Sequence, residues 1–278
     1  MKEKSSGITL ITLLILIVLL LILIASIRIF VTPKNEAGET SKENTVMDSP
    51  KTDVNELKAG DYVLYDSGLG GKILCRVLYE TSSPYGLQII TNKTVKDITL
   101  GGSDLDSAKK SYNNATQTLN QESEKYINPT FASDARSVGS NPIHKNDEVS
   151  GPIQLDYSFQ GSQTFDAKKQ DTYYETDLNA MKAATSQGDG IHAIGEDYWL
   201  ASRRVVQDTA GSFFRINGIF TERGVFNNKA IFYLWGSGKI EYFSQTCGLR
   251  PCITLKSEHL KIIEGNGSSS SPCILQTK

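Results

Sequence analysis

Ile8 to Ile27 is an unbroken stretch with no charged residue and only Thr9, Thr12 and Ser26 as polar side chains. As an α-helix it would be about 30 Å long, the hydrocarbon thickness of a bilayer. Leu and Ile occupy every face, so the stretch lacks the amphipathic stripe of a helix that lies on a membrane or packs in a coiled coil. The pattern predicts a charged leader over 1–7 and a membrane-spanning helix over 8–31. A cleaved secretory signal is the competing reading, but such signals have an apolar core of roughly 7–15 residues ending in a small-x-small site. Here Ala25-Ser26 runs on into Ile27-Arg28. Lys2 and Lys4 precede the run while Arg28 and Lys34 follow it, so charge bias alone sets orientation only weakly.

Residues 32–56 are rich in Lys, Glu, Asn, Thr, Ser and Pro, with Val46, Met47 and Val54 as their large apolar side chains. That composition predicts a flexible spacer. The remainder, 57–278, is long enough to bury a core, which gives one soluble domain beyond the spacer. Net charge is −2, with 29 basic against 31 acidic residues, so no charge excess points to nucleic acid or to a polyanionic substrate.

Within the domain, Gly60–Tyr65, Lys72–Tyr79 and Gly86–Thr91 read as strands, the second with Ile73, Cys75, Val77 and Tyr79 on one face. Between Asp104 and Tyr126, the positions Ala108, Tyr112, Ala115, Leu119 and Tyr126 line one side of a helix that Ser103 or Asp104 can cap. A shorter helix is predicted from Thr176 to about Thr185, with a long loop over 137–170 between the two. Strand signal returns at Tyr198–Ser202, Gly211–Ile216, Ala230–Trp235, Ile240–Phe243 and Ile253–Leu255, separated by turns rich in Gly and Asn. Strands, then helices, then strands predict an α+β domain.

Two stretches resemble known families. The charged leader ending in Gly7, followed by Ile8-Thr9-Leu10-Ile11-Thr12-Leu13, resembles the processing and methylation segment of type IV pilin-like proteins. The resemblance implies a prepilin peptidase as partner, a cut between Gly7 and Ile8, and a soluble part facing outward. Assembling pilins carry a glutamate at the fifth mature position, where this chain has Thr12. An uncut signal anchor stays open beside the processed form. In the domain, Tyr198-Trp199-Leu200-Ala201-Ser202-Arg203, Gly248-Leu249-Arg250-Pro251 and Ala135-Arg136-Ser137-Val138-Gly139 resemble an extracellular domain family of Gram-positive anaerobes. That family is similar to the C-type-lectin-like fold shared with formylglycine-generating enzymes, which implies lectin-like antiparallel strands near the C-terminus. The copper-binding cysteine pair of those enzymes and the Trp-Asn-Asp calcium signature of lectins have no counterpart here.

Cys75, Cys247, Cys252 and Cys273 allow up to two disulfides, but Cys75 lies on an apolar strand face and a domain this large does not need staples, so buried free thiols are the stronger reading. His144, His192 and His259 share no ligand spacing, and Asp104, Asp106, Asp189, Glu196 and Asp197 form no calcium loop. Gly236-Ser237-Gly238-Lys239 lacks the upstream glycine and the Ser/Thr of a phosphate loop and reads as a hairpin turn. Arg136, Arg203 and Arg250 lie beside apolar or tight-turn residues, where a guanidinium must find carboxylate or carbonyl partners. Structural roles are expected for Arg136, Trp199, Arg250 and Pro251, and ligand contacts for Arg203, Arg215, Tyr233, Trp235 and Tyr242. The resulting expectation is a non-enzymatic surface protein, single-pass in the cell membrane, whose extracellular domain binds a ligand that the sequence does not identify. Its other expected partner is the lipid bilayer; nucleic acid, metal and cofactor are not expected. The alternatives are a minor pilin or pseudopilin subunit, and an enzyme using a cleft at the lectin-like end.

Overall fold

The computed structural model describes residues 49–142, 174–183, 190–208, 210–220 and 225–278. The apolar stretch with Gly7 and Ile8, most of the loop expected over 137–170, His144 and Asp189 lie outside the described residues. Among the described residues no helix is long and apolar enough to cross a membrane.

The strands are β1 (Tyr62–Asp66), β2 (Lys72–Tyr79), β3 (Gln88–Thr91), β4 (Lys96–Gly101), β5 (Ala132–Ser137), β6 (Tyr198–Asp208), β7 (Gly211–Phe220), β8 (Val225–Trp235), β9 (Ile240–Tyr242), β10 (Ser244–Leu249), β11 (Pro251–Leu255), β12 (Leu260–Glu264) and β13 (Cys273–Thr277). The helices are α1 (Leu105–Glu124) and α2 (Tyr174–Ala183). One sheet has the order β12-β13-β1-β2-β3-β11-β5, the other β4-β10-β6-β7-β8-β9. The α+β expectation, with its lectin-like antiparallel strands, is therefore corrected: the described residues are mostly β-sheet with two α-helices, and β1–β13 and β10–β6 pair in parallel; the helix expected over 8–31 is not among them. The sequence pattern undercounts strands because β5 (Ala-Ser-Asp-Ala-Arg-Ser) and β10 (Ser-Gln-Thr-Cys-Gly-Leu) contain hardly any β-branched or aromatic residues. Neighbouring strands supply the pairing that their own propensity does not.

Chain connectivity forces both sheets to curl. In a flat sheet β9 and β10, four places apart in the order, would lie about 19 Å from each other at ~4.8 Å per strand. Phe243 alone joins them, and one residue spans at most ~3.6 Å. The second sheet must therefore bend until its two ends meet. There Gly102 N–H donates to the Phe243 carbonyl, 3.1 Å. Gly101 passes so close that a Cβ on it would lie 1.9 Å from that oxygen, and its φ of +107° is one that side-chain-bearing residues rarely adopt. The first sheet curls for the same reason, since Lys256–His259 alone connects β11 to β12 near the opposite end of the order.

Helix α1 lies in the concavity of the second sheet. Asp104 caps it in a reciprocal box with Ser107, and Ala108, Tyr112, Ala115 and Leu119 pack against Trp199, Phe214, Phe232 and Ile98. Tyr112 meets both Phe214 and Phe232 edge-on. The concavity of the first sheet holds Val63, Tyr65, Cys75, Ile89, Ile253 and Leu275, closed at one side by Val54 and Leu57. The folded unit thus begins ahead of Leu57, with Lys51 paired to Asp61. A third cluster, Leu78, Ile90, Met181, Tyr198, Leu200 and Ile219, joins the outsides of the two sheets through α2.

Arg250 is the joint between the sheets, as β10 runs into β11 through this one residue. Its carbonyl accepts from Val138 N–H, and the Val138 carbonyl accepts in turn from Ala201 N–H, so both sheets continue across the joint.

All four cysteines are free and buried. Burial pushes the Cys75 thiol well up, and raises Cys252 to about 12 and Cys273 to about 11; Cys247 is also raised by burial, with Lys229 acting against it. Because the thiolate is the reactive form, the folded protein is expected to be almost inert to a thiol reagent at pH 8. All four should react after denaturation without a reductant. Fast labelling of any one in the native state would contradict the structure.

Candidate ligand-binding surface

The side chains of β6 and β7 alternate about the second sheet, and those of β8 do so on either side of a bulge at which Ile231 and Phe232 both join the core. On β6, Trp199, Ala201 and Val205 face α1, while Tyr198, Leu200, Ser202 and Arg204 point outward. Register then assembles the outer face row by row: Arg204 opposite Arg215, Val206 opposite Phe213, and Phe213 opposite Tyr233. The Tyr198–Ile219 end of this face is covered by α2 and the first sheet. At the other end Arg215, Tyr233, Trp235 and Phe243 are partly exposed.

Here the aromatic rings form a connected group. Phe213 contacts Tyr233 and Trp235 edge-on at centroid distances of 4.8 and 5.2 Å, and Tyr233 reaches Phe243 at 5.1 Å. The Arg215 guanidinium lies 5.7 Å from both the Phe213 and the Tyr233 ring centres, in the range of a cation–π contact. Its Nη1 donates to Asn228 Oδ1, 2.9 Å, while Nε is buried with no partner. At the far edge Trp235 Nε1 donates to Glu241 Oε2, 3.0 Å, and Lys239 pairs with the same carboxylate. These contacts hold the Glu241 carboxyl below its usual range, the lysine contributing most. Trp235 also rims a depression of about 240 Å³ whose walls include Leu105, Lys109, Leu234 and Ile240.

Three of the five residues expected to touch a ligand, Arg215, Tyr233 and Trp235, are brought together on this face. Arg203 is not. Its side chain is fully buried and donates to the Asn113 carbonyl of α1. Tyr242 is exposed, but it pairs in register with the core residue Phe232 and so projects from the opposite side of β9. The residues expected to be structural are all buried: Trp199 Nε1 donates to Ile98 O, 2.9 Å, Arg136 pairs with Asp177, and Arg250 with Pro251 forms the joint. Arg204 was missed, yet adjacent arginines on one strand must point to opposite faces, so a buried Arg203 already implies an outward Arg204.

Among the described residues no group of His, Cys, Asp and Glu could hold a metal ion. Two further depressions, beside Arg76 and Asn92 and beside Leu69 and Tyr126, have volumes of about 350 and 430 Å³. Neither has the row of ring contacts found on the outer face.

The chain matches no protein-family model, no curated protein and no solved structure.

Proposed function

We propose that this chain displays a non-catalytic ligand-binding domain on the outside of a membrane, held there by the apolar stretch Ile8 to Ile27, and that the outer face of the second sheet is its binding surface. The observation that carries the reading is the partly exposed group of Tyr233, Trp235 and Phe243 beside Arg215. Aromatic residues and arginine are the types most enriched at binding hot spots, because they combine large apolar area with a polar tip. The apolar stretch supplies the membrane part of the reading, since its length and lack of charge suit a bilayer.

Protease applied to intact cells is the direct test. The expected result is release of a resistant fragment containing the folded unit, Asp48–Lys278, with cytosolic markers untouched. Full protection in intact cells, lost only on lysis, would overturn the proposed location. The mass of the N-terminal peptide reports in the same experiment whether a prepilin-type peptidase cuts before Ile8.

A further inference from the structure

We propose that Arg204 and Arg215 form a recognition site for the carboxylates of an acidic polypeptide partner docked against the aromatic face; this rests on reading that face as the binding surface. Arg204 and Arg215 are direct cross-strand partners. In an antiparallel pair such positions have Cβ atoms about 4.5–5.5 Å apart, and like charges placed there destabilise the sheet. Among the described residues no carboxylate pairs with either guanidinium. Glu241, on the same face, is already engaged by Lys239 and Trp235. Among the described side chains these two adjacent cations thus have no counter-charge.

Arg215 is also pre-positioned. Asn228 holds Nη1, the rings of Phe213 and Tyr233 flank the guanidinium, and Nε is buried without an acceptor. The part of the guanidinium that remains accessible is what a docked carboxylate would meet, through charge-assisted hydrogen bonds. Arg204 is exposed beside it and adds long-range attraction and a second contact.

The surroundings select the kind of anion. A phosphate polymer is held by a run of cations, whereas this site has two, in a chain of net charge −2. The flanking Tyr233, Trp235 and Phe243 offer apolar area that a polypeptide can cover with its own aromatic or aliphatic side chains. Acidic residues next to apolar anchors are the matching chemistry.

The test uses the full-length chain in detergent micelles and four synthetic probes: a glutamate–tyrosine copolymer, a lysine–tyrosine copolymer, polyglutamate and inorganic polyphosphate. The glutamate–tyrosine copolymer is expected to bind at least about tenfold more tightly than the other three, and to weaken as salt is added. Arg204→Ala and Arg215→Gln should each lower its affinity about tenfold. Arg204→Ala should melt at or above the wild-type temperature, because it removes a like-charge pair. The proposal is overturned if the lysine copolymer or polyphosphate binds as well, if wild type binds no probe, if neither arginine substitution weakens binding, or if Arg204→Ala melts well below wild type. Trp235→Ala separates the two readings. Loss of all copolymer binding in that variant, with both arginine variants unaffected, keeps the surface and removes its acid preference; unchanged binding in that variant removes the surface itself.

Discussion

Asp177→Ala is expected to cost about 3–5 kcal/mol of stability, the range for removing one partner of a buried ion pair. In a folded unit of this size that lowers the melting temperature by on the order of 10 °C. Asp177 is fully buried and accepts from four donors: Arg136 Nη1 at 2.5 Å, Arg136 Nη2 at 3.0 Å, the Tyr79 hydroxyl at 2.8 Å and Gly139 N–H at 2.8 Å. The pair ties α2 to β5 and β2. Burial and the Asp177 carboxylate together push the Tyr79 hydroxyl far up, so it stays protonated and donates at any pH the fold tolerates. Burial works against the charge on Arg136, but Asp177, with smaller contributions from Cys252 and Tyr79, outweighs it and the guanidinium is held more firmly protonated than usual. Alanine would leave that cation inside the protein with only Gln88 and two backbone carbonyls as acceptors. Tyr79→Phe removes one donor and should cost only about 1 kcal/mol. Replacing both charged partners with apolar residues of similar size should recover much of the loss. Thermal unfolding of the three variants checks the series, and a wild-type melting temperature for Asp177→Ala would refute the account.

The second large effect is expected at the joint. Arg250 has no exposed surface and no carboxylate partner among the described residues. Its charge is balanced instead by dipoles: Nε and Nη2 donate to the Thr91 carbonyl at 3.0 and 2.7 Å, Nη1 donates to the Ile191 carbonyl at 2.8 Å, and the guanidinium sits 4.7 Å above the Tyr198 ring. Arg250→Leu would leave two buried carbonyls unpaired and a cavity where the guanidinium was, a loss of about 2–5 kcal/mol. Lysine cannot reproduce it, since a single ammonium lacks the fork that spans both carbonyls. Arg250→Lys should therefore fall between leucine and wild type. Because Arg250 lies where β10 becomes β11, hydrogen exchange in the leucine variant should quicken in β3 and β6 alike. Quickening confined to one sheet would contradict the description of Arg250 as their shared joint.

Much of the fold was legible where a strong pattern coincided with a strong local preference. The spacing of Ala108, Tyr112, Ala115 and Leu119 marked the buried side of α1, and of the two caps open in the sequence, Ser103 and Asp104, it is Asp104 that starts it. The alternation in Lys72–Tyr79 gave the limits of β2. Other strands were read short: Tyr198–Ser202 was visible but β6 continues to Asp208, because two arginines interrupt the apolar pattern just where the strand leaves the shared core. β4, β5, β10, β12 and β13 were not read as strands. Their pairing is decided by partners far along the chain, as when Thr246 meets Thr99 or Cys273 meets Val63, and local composition does not carry that information. The site was half legible for the same reason. Composition singled out Arg215, Tyr233 and Trp235, but whether Arg203 or Arg204 faces outward depends on register, and so does the side of β9 that bears Tyr242.

The placement of β13 bears on how such a chain is made. It lies between β12 and β1, and Val63 is matched with Cys273, about two hundred residues later. While the polypeptide grows, β1 has no neighbour on that side, and the first core stays open until synthesis has all but run through the described sequence. Closing so long a loop is slow. The second sheet, complete by Leu249, can close its core first, and the first core is expected to shut only once β13 arrives, so the two halves of the described unit would mature in an order opposite to that of their first strands.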